Sequence, residues 1–180
     1  MSLSGLLAFT AAYLAVLVLP GPGVTSLVAR VLARGPQGSP AFIAGFVAGA
    51  LIWFAVAVTG LAALAASFAA VFVAIRYAGA AYLLYVAWKL WHAPAVPPDR
   101  TAATPERGWR LFLTGLAINL GNPKVIVFFL ALIPSIVDMG RLTGTGIVEL
   151  AALIVVIAST VLGIYAAAAA RARSTSSPAR

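Results

Sequence analysis

The sequence predicts an all-α integral membrane protein, a polytopic helix bundle of about five transmembrane spans. Two observations predict this fold class. Of the 180 residues, 63% are hydrophobic and only 9% are charged, whereas soluble proteins are about half apolar and a quarter charged. The apolar residues also fall into long runs, and a helix needs about 20 such residues to cross a hydrocarbon core. We therefore expect one membrane domain over residues 1–180 and no soluble domain.

The first apolar run extends from Leu3 to about Leu32 and is interrupted by four residues, Pro20, Gly21, Pro22 and Gly23. As one straight helix it would be about 45 Å long, which exceeds the hydrocarbon core. We therefore expect the interruption to lie within or near the membrane. The second run covers residues 41–64 and places small residues four apart, at Ala41, Gly45 and Gly49. Small residues at this spacing let two helices approach closely.

The third run, residues 71–90, precedes the one clearly polar internal stretch, residues 92–110. This loop divides the chain into a first repeat of three spans (1–91) and a second repeat (111–170) that is one span short. The second repeat holds a fourth run, residues 111–137, and a fifth, residues 147–170. The last ten residues, 171–180, are predicted to be a disordered basic tail.

The basic residues predict how the chain is oriented in the membrane. They concentrate in alternate connectors, and such connectors face the cytoplasm: Arg30, Arg34, Lys89, Arg100, Arg107, Arg110, Arg171, Arg173 and Arg180. The predicted localisation is the inner (plasma) membrane, with the N-terminus outside and the C-terminus cytoplasmic. A net charge of +8 could also suggest nucleic acid, but basic residues spread over helix ends do not form the required patch. We therefore predict the lipid bilayer as a partner and no nucleic acid.

Two helix interruptions give the best functional signal: Pro20 to Gly23 in the first run, and Asn122, Pro123 and Lys124 in the fourth. A proline donates no N–H and crowds the carbonyl four residues back, which would leave the carbonyls of Val16, Val18 and Asn119 exposed. Unpaired backbone groups are costly in a bilayer, so broken helices tend to line a cavity. Breaks in corresponding spans of two repeats indicate a transporter's binding site. The alternative is that both breaks are structural kinks.

Lys124 lies fourteen residues from Arg110 and thirteen from Val137, so neither membrane surface is within easy reach. An ionisable group at the bilayer centre costs roughly 2.5 to 3.5 kcal/mol, and such groups usually mark substrate or ion pathways. A buried lysine also releases its proton readily, which would allow Lys124 to take part in proton coupling. The alternative is that its side chain reaches the interface.

Three further polar residues complete the predicted substrate pathway. Asn119 and Asn122 are three apart and share a face if the helix runs through them, where their amides could bind a zwitterion or pair with each other. Thr25 follows the first break and could cap the second half-helix, which would then present N–H groups to an anion.

The sequence lacks the residue combinations that enzyme catalysis requires. There is no cysteine and one histidine, and no nucleophile and base set, carboxylate pair or metal-ligating cluster can be assembled. We predict that the chain is not an enzyme, with no catalytic residue, no metal site and no cofactor.

The motifs resemble those of the LysE-type amino-acid exporters, the family of lysine and homoserine/threonine efflux proteins. The resemblance covers nearly the whole chain and rests on residues 19–22 (LPGP), 79–85 (GAAYLLY) and 119–124 (NLGNPK), the last followed by Phe128 and Phe129. It implies a bacterial inner-membrane exporter of amino acids or similar metabolites, driven by proton exchange. It also implies that the Pro-Gly-Pro and Asn-Pro-Lys segments lie near the transport path.

The sequence departs from the family pattern at two places. Gly23 stands where members commonly carry Asn or Asp, which leaves the choice of substrate open. Members also usually have six spans, whereas five are predicted here, and an inverted pair of repeats lacking one helix would expose a packing face. A partner subunit, including a second copy of the chain, would cover that face. The alternative function is a non-transporting membrane protein, either a degenerate relative or an assembly factor.

Overall fold

The computed structural model describes residues 3–59, 88, 107–138 and 142–175. Apart from Trp88, the predicted third span and nearly all of the polar loop lie outside these residues. The described helices are α1 (Leu3–Val18), α2 (Pro22–Arg34), α3 (Ser39–Val58), α4 (Gly108–Leu120), α5 (Pro123–Ile136) and α6 (Gly144–Thr175).

Four membrane crossings can be built from these helices. By length and composition, α3 and α6 are each able to cross a membrane alone. The α1–α2 pair is bent by 49° and the α4–α5 pair by 56°, and each pair supplies one further crossing if it forms a single span. The bends lie at the two predicted interruptions, and α2 and α5 both begin with a proline, a residue favoured at the first helical position because its missing N–H costs nothing there. The predicted class, a helical multi-pass membrane bundle, is confirmed.

Helices α3 and α4 cross at glycines. A Cβ added to Gly45 would collide with the carbonyl oxygen of Phe112, and one added to Gly115 would collide with that of Phe42. A Cβ on Gly49 would lie 2.8 Å from the side chain of Asn119. The predicted close approach along the Gly45 and Gly49 face is therefore confirmed, whereas its partner, Gly115, was not anticipated.

Helix α6 extends further than the sequence predicted. It continues through Thr175, so residues 171–175 are helical and not part of a disordered tail. The alanines at 166–170 favour helix strongly, and the Arg173 guanidinium is anchored by donating to the carbonyls of Val31 and Leu32, at 3.4 and 3.3 Å. Helix α4 likewise begins at Gly108, inside the segment predicted to be a loop.

Helix α5 contains a π-helical turn over Phe128–Leu132. Pro134 follows this turn, and its ring crowds the carbonyl of Leu130 while offering no N–H to it. A wider turn at this point accommodates the proline, and π-helical turns are frequent at functional sites. Phe128 and Phe129 are both buried in the core here.

Candidate functional site

The first break leaves two carbonyls at the end of α1, and distant side chains satisfy both. The Tyr165 hydroxyl of α6 donates to the Val18 carbonyl at 2.6 Å. The Lys124 ammonium donates to the Leu19 carbonyl, also at 2.6 Å. Val18 was predicted to have a free carbonyl, and its partner is now identified. The first break is therefore held by groups from α5 and α6.

The second break satisfies its own backbone locally. The N–H of Asn122 donates to the Asn119 carbonyl at 3.1 Å, so the prediction that Pro123 leaves this carbonyl free is wrong. The side-chain oxygen of Asn122 accepts from the Lys124 N–H at 3.1 Å and caps α5. Helix α4 ends at Leu120, so no helix runs through the two asparagines and they do not share a helix face.

Lys124 brings the two breaks together. Besides its bond to Leu19, its side chain lies beside Gly21, where an added Cβ would be 3.3 Å from the ammonium nitrogen and 3.4 Å from Cε. The first break and the start of α5 thus form one site, although 105 residues separate Leu19 from Lys124.

A cavity of about 10 Å³ lies at this junction. Such a volume is about the least that can hold a single water molecule. The lining consists of small, aromatic and aliphatic residues with three polar side chains: Tyr13, Val16, Leu17, Gly21, Gly23, Val24, Phe46, Asn122, Lys124, Val125, Phe128 and Phe129. The structure therefore presents this site in a closed arrangement.

Aromatic side chains form one wall of the cavity. The Tyr13 ring centroid is 5.2 Å from that of Phe128 and 6.0 Å from that of Phe129. Tyr13 is only 2% exposed, and its hydroxyl has no hydrogen-bond partner within the described part of the chain. A buried hydroxyl without a partner is costly, so the Tyr13 hydroxyl is a candidate to bind a water or a ligand in the cavity.

A larger, open groove of about 530 Å³ adjoins the cavity. Three residues line both spaces, Val16, Lys124 and Phe128. Pro123 lines the groove and not the cavity. The three shared residues therefore form the wall between the cavity and the groove.

Two predicted site residues behave differently from expectation. Thr25 does not cap α2, because its hydroxyl donates back to the carbonyls of Gly21 and Pro22, at 3.0 and 3.2 Å, and α2 has no side-chain cap. Thr25 also does not line the cavity. Asn119 is fully buried against Gly49, and neither atom of its amide has a partner among the described residues. Pro20 and Pro22 shape the first break and are exposed.

Phe46 fills the space that a side chain at position 23 would occupy. A Cβ added to Gly23 would press into the Phe46 ring, with Cζ at 2.9 Å. Because Phe46 is 3% exposed, its ring has little room to move. We expect Gly23→Ala to destabilise the protein by about 1–3 kcal/mol, the usual cost of overpacking, measured as a lower unfolding midpoint in detergent. Adding Phe46→Leu should recover part of the loss, and a Gly23→Ala protein as stable as wild type would contradict the contact.

Tyr13, Phe46 and Tyr165 were not anticipated from the sequence. Each lies within an otherwise apolar run, where an aromatic residue is expected in a core whatever the function. The hydroxyl of a tyrosine far from a helix end was the one signal that distinguished Tyr13 and Tyr165 from simple core residues, because a buried hydroxyl needs a partner.

Comparison with known proteins places these features in a family. The family described as LysE type translocator matches residues 14–180. The homoserine/homoserine lactone efflux protein of Salmonella typhi is 33% identical over 118 residues, 66% of this chain and 57% of that protein. The leucine efflux protein of Salmonella choleraesuis is 29% identical over 125 residues, covering 69% and 59%. Membrane protein YrhP of Bacillus subtilis is 25% identical over 162 residues, covering 85% and 77%.

The matched segments thus span less than two thirds of the length of the two efflux proteins. No solved structure matches the chain.

Proposed function

Because this chain belongs to the LysE type translocator family, we propose that it exports an amino acid or a similar small metabolite across the inner membrane. Translocators move solutes and are not enzymes. The proposed substrate path is the cavity at which the two helix breaks meet, with Pro20 to Gly23 on one side and Asn122, Pro123 and Lys124 on the other. The observation that carries the proposal is the hydrogen bond from Lys124 to the Leu19 carbonyl.

The chemistry of this bond suits a zwitterion. A substrate carboxylate competes for the Lys124 ammonium, since it carries a full negative charge that attracts the ammonium whereas the Leu19 carbonyl is neutral. The Leu19 carbonyl that Lys124 leaves can then accept from the substrate ammonium. Substrate entry would therefore exchange one internal bond for two bonds to the ligand. The aromatic and aliphatic remainder of the lining surrounds the substrate's carbon atoms.

The two bent spans support an alternating-access mechanism. Their bends differ by only 7° (56° less 49°), and the half-helices after each break begin at the same cavity. We propose that they belong to two inverted repeats, residues 1–91 and 111–170, and that their relative movement opens the site to each side in turn.

Basic residues at one end of the bundle support the proposed orientation. Arg173 near the end of α6 donates to carbonyls at the end of α2, so both helix ends lie together with their arginines. Arg30 donates to the carbonyl of Gly35 in the following connector. Because basic connectors face the cytoplasm, this end is proposed to be cytoplasmic.

Export is tested with purified protein in liposomes loaded with a mixture of L-homoserine, L-leucine and L-lysine. We expect at least one of the three amino acids to leave these liposomes faster than it leaves loaded liposomes without protein. We expect this efflux to be faster still when a proton gradient is imposed. Efflux at the same rate with and without the gradient would contradict proton coupling but remain consistent with export. If folded protein moved none of the three amino acids, nor others of a wider panel, a non-transporting role would replace the proposal.

A further inference from the structure

The two half-helices begin with opposite capping arrangements. At the start of α5 the Asn122 side chain accepts the Lys124 N–H, and the Asn122 carbonyl accepts from Val125 and Ile126, both at 3.0 Å. The cap position of α2 is Gly21, which has no side chain and makes no side-chain cap. The Gly21 carbonyl accepts from the N–H and from the hydroxyl of Thr25, both at 3.0 Å, and neither bond involves the N–H groups of the first three residues of α2. Helix α5 is therefore closed at its N-terminus, whereas α2 is open.

Two backbone N–H groups, those of Gly23 and Val24, lie at the open start of α2. Neither N–H has a hydrogen-bond acceptor within the described residues, and both residues are buried and line the cavity. Proline at position 22 has no N–H of its own. Unpaired N–H groups are costly where water is scarce, so a site that leaves two of them open is typical of a place that a ligand completes.

The surroundings indicate the charge of that ligand. A helix N-terminus carries a partial positive charge, and α2 has 13 residues to build it. The Lys124 ammonium adds a full positive charge beside Gly21. The buried hydroxyl of Tyr13, which lines the same cavity, is also without a partner in the described part of the chain. A cation, two free N–H groups and a free hydroxyl together favour an anion with two oxygen atoms.

We propose that the backbone N–H groups of Gly23 and Val24 are the carboxylate-binding group of the substrate site, with Lys124 as the neutralising cation. This inference rests on the proposed function, because the ligand is the carboxylate of the exported amino acid. The proposal requires position 21 to carry no capping side chain, since any side chain able to cap α2 would occupy the same N–H groups. The cavity, of about 10 Å³ in the closed arrangement, has to widen before the carboxylate enters.

A pair of substitutions at Gly21 tests the proposal. Gly21 has φ −129° and ψ −174°, an extended conformation that any residue adopts, and an added Cβ meets only the flexible end of Lys124. Gly21→Asn supplies a side chain that can cap α2, as Asn122 does for α5, and Gly21→Ala supplies the Cβ alone. We expect Gly21→Asn to lower the export rate of L-leucine or L-homoserine at least tenfold while leaving the unfolding temperature unchanged or raised. Gly21→Ala measures the effect of the Cβ alone at this lining position, and it should export at least tenfold faster than Gly21→Asn.

A second measurement uses wild type alone. Leucinamide and homoserine amide lack the carboxylate, and we expect neither to compete with export of the free amino acid at tenfold excess. Equal rates in Gly21→Asn and Gly21→Ala, or effective competition by the amides, would overturn the carboxylate site while export by wild type kept the proposed function. Absence of export by wild type would instead overturn the function and the inference with it.

Discussion

Lys124→Met is expected to reduce amino-acid export at least a hundredfold. Methionine nearly matches the length and volume of lysine, so the wall between cavity and groove is largely retained, but the cation facing the substrate carboxylate is lost. The Leu19 carbonyl also loses the donor that lies 2.6 Å away in the closed arrangement. The measurement is the initial rate of efflux from proteoliposomes at matched protein density.

Tyr165→Phe is the matched control for this substitution. It removes the other donor to the end of α1, the 2.6 Å bond to the Val18 carbonyl, without changing the charge of the site. Hydrogen bonds inside membrane proteins contribute about 0.6 kcal/mol on average and up to about 1.7 kcal/mol, so a modest loss of stability and export within about threefold of wild type are expected. Export by Lys124→Met above a third of the wild-type rate would contradict the role given to its charge. Equal losses of export in both variants would mean that both side chains act only by stabilising the end of α1.

Gly45→Val is expected to have the largest effect on the fold. The Cβ would collide with the backbone carbonyl of Phe112, which cannot rotate aside as a side chain can, so α3 and α4 would have to separate. Overpacking usually costs about 1–3 kcal/mol and occasionally more, and we expect the upper part of that range here. The measurement is the unfolding midpoint in detergent, followed by circular dichroism.

Gly163→Ala provides the comparison for Gly45→Val. Gly163 also lies within a long helix, but a Cβ added there meets no atom of the described residues within 4 Å. Alanine is favoured over glycine in a helix by up to about 1 kcal/mol, so this variant should be as stable as wild type or slightly more stable. A Gly45→Val protein that unfolds at the same temperature as Gly163→Ala would show that α3 and α4 do not cross as closely as described.

The breaks and the close helix crossing could be predicted because both depend on local chemistry. Pro20, Pro22 and Pro123 cannot continue a helical hydrogen-bond ladder in any context, and glycines four apart make one smooth face on a helix. These features were therefore readable from residue type and spacing alone. The same holds for the apolar runs that became α3 and α6.

The partners of the broken backbone could not be predicted because they come from distant parts of the chain. Tyr165 reaches Val18 over 147 residues and Lys124 reaches Leu19 over 105, and no local pattern encodes such pairs. The sequence gives no reason to treat the two asparagines differently, yet Asn122 caps α5 while the Asn119 amide, at the α3–α4 crossing, has no partner among the described residues. The difference arises because α4 ends at Leu120, between the two asparagines. The run of apolar residues does not mark this helix end, so the sequence could not place it.

If the two helix breaks form one substrate site, a bound amino acid should shield both of them from a cysteine-specific reagent. The chain has no cysteine, so Val24→Cys and Val125→Cys each introduce a single thiol, one at the start of α2 and one at the start of α5, both in the cavity lining. A small thiosulfonate reagent then measures how fast each thiol reacts in liposomes with and without the exported amino acid, and Val148→Cys on the exposed face of α6 is the control. We expect the amino acid to slow the reaction of both cavity thiols with the same concentration dependence and to leave Val148→Cys unaffected. Protection of one break without the other, in variants that still export, would contradict the single substrate site.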